Sequence, residues 1–212
     1  MTELDHIAVI APDLAAGAAW VREVLGVEMP AGGKHPEMGT HNRLVALGPD
    51  LYLEVIAIDP EAPTPPHPRW FGLDDREEVE RHWREGRRLR AYVARCTDIA
   101  ATIGARTEAY GTPMRVSRGD REWLFAGGPD GELPYGALPC LIDWGARGTP
   151  APSMPDLGLR LEQFVVETPA SHTLQAGLDA LGIGPFAFSV RGGPDWRLTA
   201  TIATSNGVRV LN

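Results

Sequence analysis

Leu4-Asp5-His6-Ile7-Ala8-Val9-Ile10 reads as a strand: apolar and β-branched residues are dense, and Pro12 stops the run. Asp13 follows as a helix N-cap. Leu14, Ala18, Val21, Val24 and Leu25 then recur at helical spacing, and Gly26 supplies the stop. Beyond a Gly/Pro-rich stretch, Met29 to Gly39, come two apolar runs, His41 to Leu47 and Leu51 to Ile58. The turn Gly48-Pro49-Asp50 joins them. The block is β-α-β-β, and the Gly-rich stretch has room for one more strand.

The opening returns twice. Leu161-Glu162-Gln163-Phe164-Val165-Val166 lies over Leu4 to Val9, and Pro169 over Pro12. A unit beginning at Leu89 keeps the pattern but not the residues, with Ala91 where the others carry His6 and Gln163. Its strand, Leu89 to Arg95, leads to a short helix at Asp98 to Ala105. Strands are expected next at Pro113 to Val116, Trp123 to Ala126 and Leu138 to Trp144. The last unit reads as a strand to Glu167, a helix at Thr173 to Leu181, and strands at Phe186 to Val190, Arg197 to Thr204 and Val208 to Leu211. Asn206-Gly207 is a strong hairpin signal between the final two. Repetition of this kind says more about architecture than any single motif. The chain divides into unit one (1–60), a Pro-rich linker with a charged helix (61–88), unit two (89–145), a second linker (146–158) and unit three (159–212). The charged helix, within Asp74 to Arg88, has acids first and bases last, which suits the helix dipole; it reads as a solvated face.

A chain of 212 residues buries roughly 70% of its unfolded surface, so a real core is expected. Apolar residues at 43% and charged residues at 23% exclude wholesale disorder, collagen and coiled coil. The 24 glycines and 19 prolines call for many turns. Twenty basic against 28 acidic residues give a charge of −8 with no basic block, which speaks against a nucleic-acid partner. No apolar run approaches a bilayer span and no leader pattern opens the chain, so a cytoplasmic protein with no membrane partner is expected. Cys96 and Cys140 are expected to be buried, reduced thiols. The glycine pairs at 32–33, 127–128 and 192–193 are turns, and neither Gly-x-Ser-x-Gly nor Cys-x-x-Cys occurs. Dinucleotide sites, nucleophile elbows and zinc ribbons are therefore not expected.

Three stretches join the repeat in pointing to a family. They are Leu4 to Val9; Gly39-Thr40-His41-Asn42-Arg43-Leu44-Val45-Ala46-Leu47-Gly48 with Tyr52-Leu53-Glu54-Val55-Ile56-Ala57; and Arg69-Trp70-Phe71-Gly72-Leu73-Asp74. Together they resemble the vicinal oxygen chelate superfamily, the glyoxalase/dioxygenase fold, and within it the glyoxalase-like domain branch. The resemblance is specific over roughly residues 4–75. It implies an α+β protein of repeated βαβββ units that pair into an open barrel around a cavity. It also implies a divalent metal held by His or Gln on first strands and by Glu on last strands. Carried over residue by residue, the metal ligands are His6 and Glu54 in unit one and Gln163 in unit three. An imidazole, a carboxylate and an amide oxygen suit Zn, Mn, Ni or Fe(II), with open positions for water or substrate. Asp143 is the nearest acid to a last-strand ligand in unit two, and the position opposite Glu54 in unit three falls at about Leu211, so a full set of four is not visible. Three units also exceed the two-unit plan. Either unit two is structural filler or one unit pairs with a partner chain; a homodimer is expected.

Glu54 stands in so apolar a strand that its charge needs a partner, a metal or a proton. Without metal it is the candidate general base. His41 is the second catalytic candidate; Asn42 takes its place as a substrate contact if the strand alternates the other way. Trp70 and Phe71 are expected over the cavity as substrate contacts, or else as anchors docking the linker. His35, His67 and His82 lie in loop-like or charged segments and are expected to be exposed, with His172 at a helix start. The leading function is a metal-assisted lyase, isomerase or dioxygenase acting on a small oxygenated metabolite. The competing one is a metal-free protein that binds an antibiotic or metabolite on the same scaffold.

Overall fold

The structure is a computed structural model describing residues 2–183 and 188–212. Local sequence chemistry sets the first half. β1 (Glu3–Ile10) ends at Pro12 and leads into α1 (Leu14–Leu25), which Asp13 caps by accepting from the Ala16 N–H at 2.7 Å. Gly26 closes α1 in the left-handed region at φ 74°, where a side chain would be strained. β2 (Lys34–His35) is the extra strand in the Gly-rich stretch, followed by the hairpin of β3 (Thr40–Ala46) and β4 (Tyr52–Ile58). Gly17 lets α1 lie flat on β4: a Cβ there would stand 2.3 Å from Val55 Cγ1. β1 is covered on both faces, so His6 through Ile10 are all buried and the run reads as continuously apolar.

The linker carries α2 (Arg76–Arg84), capped by Asp75. Unit two then runs β5 (Leu89–Arg95), α3 (Ile99–Ile103), α4 (Thr107–Tyr110), β6 (Met114–Arg118), β7 (Arg121–Ala126) and β8 (Cys140–Asp143). Units one and two form one eight-stranded sheet in the order β2-β3-β4-β1-β5-β8-β7-β6. In each half the first strand lies parallel to the last, and the halves meet along the antiparallel pair β1–β5. The outer edges approach each other, where Ser117 donates to Glu37 and Arg118 to Asn42, so the mixed α+β sheet is nearly a barrel. Unit two is therefore the second half of the barrel and not filler.

Unit three corrects the sequence overlay. β9 (Arg160–Thr168), α5 (Ser171–Ala180), β10 (Phe188–Gly192), β11 (Arg197–Thr204) and β12 (Gly207–Leu211) form a separate sheet in the order β10-β9-β11-β12. Here the first strand lies between the second and third strands, not beside the last. Phe186 and Ala187, the start of the expected strand to Val190, fall outside the described residues. This sheet docks on the outside of the barrel. Tyr92 of β5 meets Phe164 and Phe188 at 5.4 and 5.9 Å, and the Arg88 and Leu89 N–H groups donate to the Asn212 carbonyl. The third unit thus packs against an apolar partner within the chain, on Tyr92 of β5. Cys96 and Cys140 are buried and free. Among the described residues no helix is long and apolar enough to cross a membrane.

Candidate functional site

A β-bulge builds the centre of the site. Along β1, Leu4 pairs with Ala94 and His6 with Val93, so Asp5 is the extra residue and has no partner across the ladder. The break in alternation lets Asp5 and His6 both turn into the protein. Asp5 is completely buried, and its Oδ1 lies 2.8 Å from His6 Nδ1. Trp144, just beyond β8, donates its Nε1–H to Asp5 Oδ2 at 3.0 Å. On the other side of the ring, His6 Nε2 faces Glu54 Oε2 across 3.5 Å. The pair is adjacent because β1 and β4 run parallel, with His6 opposite Tyr52 and Ala8 opposite Glu54. Tyr52 stacks on the His6 ring at 4.6 Å.

β3 supplies the next contact. Asn42 donates Nδ2–H to Glu54 Oε1 at 2.6 Å, and its Oδ1 accepts from the Gly33 N–H at 3.1 Å and from Arg118 at 3.3 Å. His35 of β2 sits behind this amide, with Nε2 3.4 Å from Asn42 Nδ2 and Nδ1 3.1 Å from Thr40 Oγ1. An Asn donor pointing at Nε2 makes that nitrogen the acceptor, so Nδ1 carries the proton and bonds Thr40. Trp70, Phe71, Trp123, Phe125 and Trp144 wall the cavity.

Burial and charge drive the titratable groups apart. Burial alone would push the His6 imidazolium down, but its hydrogen bonds to Asp5 and Glu54 and their charges outweigh this and raise it to about 9. Burial would push the Glu54 carboxyl up, but His6, reinforced by Asn42, holds it below the usual carboxylate value. His35 has no such carboxylate contact, and burial drops it to about 4. At neutral pH the cavity therefore holds an imidazolium, a carboxylate and a neutral imidazole.

The structure brings His6, Glu54, Asn42, Trp70 and Phe71 into one cavity. It does not bring in His41. With Asn42 facing inward, period-two alternation turns His41 to the opposite face of β3, where it is half-buried. Gln163 is exposed on β9, in the other sheet, and lines no part of the cavity. Asp143 accepts the Gly145 N–H on the outside of β8, and Leu211 is fully buried. Of the three histidines expected to be exposed, His35 is buried in the site and His67 and His82 are half-buried; His172, expected at a helix start, lies in the first turn of α5 and is exposed. Asp5, His35, Arg118, Trp123 and Trp144 were missed. Asp5 could have been read as a buried acid beside a buried histidine. Arg118, near a hairpin tip rich in charge, carries no such signal.

The pseudo-twofold of the barrel tests the implied metal. Since His6 pairs with Val93 and Ala8 with Ala91, the twofold exchanges His6 with Ala91. Ala8 pairs with Glu54 and Val93 with Cys140, so it exchanges Glu54 with Cys140. A methyl group and a thiol pushed up by burial stand where the second pair of donors would be. Among the described residues no group of three or more His, Cys, Asp or Glu side chains is placed to hold a metal ion. Catalytic zinc centres take three protein ligands. The donor set does not fit a resident divalent ion.

The chain belongs to the glyoxalase-like domain family, whose model matches residues 4–182. Among solved structures it is similar to a hypothetical protein from Staphylococcus aureus, with a TM-score of 0.64 at 11% identity, over 100% of this chain and 99% of that one. That likeness extends the shared fold to the third unit. It is also similar to a methylmalonyl-CoA epimerase in complex with methylmalonyl-CoA and NH4+ (TM-score 0.43, 20% identity, 71% of this chain and 99% of that one). The methylmalonyl-CoA epimerase from Mycobacterium tuberculosis matches at a TM-score of 0.41 and 17% identity, over 67% of this chain and 86% of that one. A search of curated proteins finds no match.

Proposed function

We propose that this chain is an isomerase that moves a proton on a small oxygenated metabolite without a resident metal, with Glu54 as base and the His6 imidazolium as donor to the developing oxyanion. One observation carries the reading: His6 Nε2 and Glu54 Oε2 face each other across 3.5 Å in a cavity both groups line. A carbonyl oxygen placed against Nε2–H would be polarised, and the carboxylate would take the proton from the adjacent carbon. The resulting enolate oxygen is stabilised by the imidazolium, and delivery of the proton to the neighbouring carbon completes the isomerisation, whereas its return to the same carbon from the same face regenerates the substrate. No atom is gained or lost. Asp5 fixes the ring and keeps Nδ1 protonated, Trp144 holds Asp5, and Asn42 fixes the angle of Glu54. Groups pushed apart in pKa mark acid and base roles, and fixed donors aimed at developing charge act with little reorganisation. Of the reaction classes the family resemblance implies, isomerisation needs nothing beyond these two groups.

The test is proton NMR in D2O with a panel of α-hydroxyketones and 2-oxoacids. Wild-type protein should wash out the α-proton of at least one, and Glu54→Gln should slow this by roughly 10²–10⁴-fold with its fold intact. Binding without exchange across the panel would favour the metal-free binding protein instead.

A further inference from the structure

Arg118 ends β6 and belongs to the second half of the barrel, but its side chain crosses the seam to the first. It lies along Gly33, where a Cβ would come within 2.5 Å of Arg118 Cδ, so any larger residue would displace the arm. Its Nη1 and the Gly33 N–H share Asn42 Oδ1. This engages one of the five guanidinium donors. Among the described residues Arg118 has no other hydrogen-bond acceptor and no carboxylate within 4.0 Å. Arg115 on the same strand is matched by Glu122 at 3.0 Å. Glu54, linked to Arg118 through Asn42, is already matched by His6. Arg118 is thus a cation in the cavity wall, held by a glycine cradle and an amide, with most of its fork unused.

We propose that Arg118 anchors a carboxylate of the substrate, which makes the ligand a compact acid carrying an enolisable carbonyl a few atoms from its carboxylate. The anion site stands on Arg118 alone; the position of the carbonyl rests on the proton-transfer reading. A single amide, Asn42, separates the guanidinium from Glu54, so a ligand bridging the two needs to span only that amide. Six aromatic side chains line the cavity and favour a flat molecule. The bound carboxylate would add a negative charge near Glu54, which favours the protonated form of that side chain and strengthens it as a base only in the complex.

Trp70, Trp123 and Trp144 line the cavity, so intrinsic fluorescence reads binding directly. The probes are 2-oxobutyrate, its neutral amide 2-oxobutyramide, and inorganic phosphate. Wild type should bind the acid roughly tenfold or more tightly than the amide, the value of one charge-assisted hydrogen bond or better. Arg118→Gln should bind acid and amide alike, and Arg118→Lys should recover only part of the preference because it loses the planar fork. Unchanged melting temperatures show that the variants fold. Equal binding of acid and amide by wild type, retained preference in Arg118→Gln, or no saturable response at tens of millimolar would each overturn the assignment. Phosphate binding more tightly than the acid would overturn the carboxylate in favour of a phosphoryl group. Acid preference without α-proton exchange would defeat the proton-transfer reading and leave the anion site standing. Exchange on neutral ketones without acid preference would do the reverse.

Discussion

Replacing His6 by Gln removes a charge that the fold holds on a buried ring, and the consequence depends on pH in a predictable direction. In the folded chain the ring titrates at about 9: burial opposes its charge, and Asp5 and Glu54 overcome that opposition. Unfolded, it titrates near 6.5. Between these values the native state holds a proton that the unfolded chain has released, so stability falls as pH rises. The contribution of His6 is complete below pH 6.5 and is lost as pH passes through 9. At about 1.4 kcal/mol per pH unit across that window, the loss is roughly 3 kcal/mol. Urea unfolding from pH 6 to 9.5 measures it. With a slope of about 1–3 kcal/mol per molar urea, the wild-type midpoint should drop by roughly 1–3 M more than that of His6→Gln. The variant is the control, since other groups titrating in this range affect both proteins. A wild-type minus variant difference that stays constant between pH 6.5 and 9 would refute the imidazolium, and with it the donor role given to His6.

Other outcomes follow from the same geometry. Trp144→Phe keeps the ring but leaves Asp5 Oδ2 without its donor, and should cost about 1–3 kcal/mol by urea unfolding at pH 7. Gly32→Ala places a Cβ 1.5 Å from the Asn42 carbonyl oxygen, so β3 must shift; a loss of about 1–3 kcal/mol or more is expected, with weakened ligand binding because Asn42 moves too. Elemental analysis of protein purified without chelators or an affinity tag should find far less than one divalent ion per chain, and a stoichiometric ion would mean that donors beyond His6 and Glu54 are supplied.

Much of the barrel was legible because its elements announce themselves locally. Asp13, Gly26 and the Gly48-Pro49-Asp50 turn bound α1 and the β3–β4 hairpin where capping and turn chemistry place them. His6 and Glu54 were legible for a related reason: each stands in a run apolar enough that an unpartnered polar group would be costly. Glu54 turns inward as strand period allows, whereas His6 turns inward beside Asp5 because the bulge breaks the alternation of β1. His41 and Asn42 are different. Both are polar, so nothing in the run says which faces inward; the Gly33 N–H and the Arg118 arm, brought from other strands, select Asn42. His35 looked exposed because its sequence neighbours are Lys34 and Pro36. Its burial comes from Trp70 and Trp123, ring centroids 5.0 and 6.1 Å away, which are remote in sequence.

Gln163 shows how a residue-by-residue overlay can be sound locally and fail at the site. Any strand that feeds a helix packed back on its own sheet needs the same signals: an apolar run, a stop near Pro12 or Pro169, and helical spacing beyond. Those signals fix the β-α opening of units one and three alike. They do not say which later strand will lie parallel to the first. In unit one β4 takes that place, four elements on, and carries Glu54 to His6. In unit three β10 takes it, directly after α5, and β11 occupies the other flank of β9. The last strand is left at the edge, and the position matching His6 faces solvent instead of a cavity. The partner of a first-strand residue is set by strand order, a property of the whole unit, so a ligand inferred from the opening alone inherits no partner. By the same logic Ala91, which does occupy the true twofold position of His6, marks the half of the barrel that offers no second donor, and the charge on His6 must be balanced within its own half, by Asp5 and Glu54.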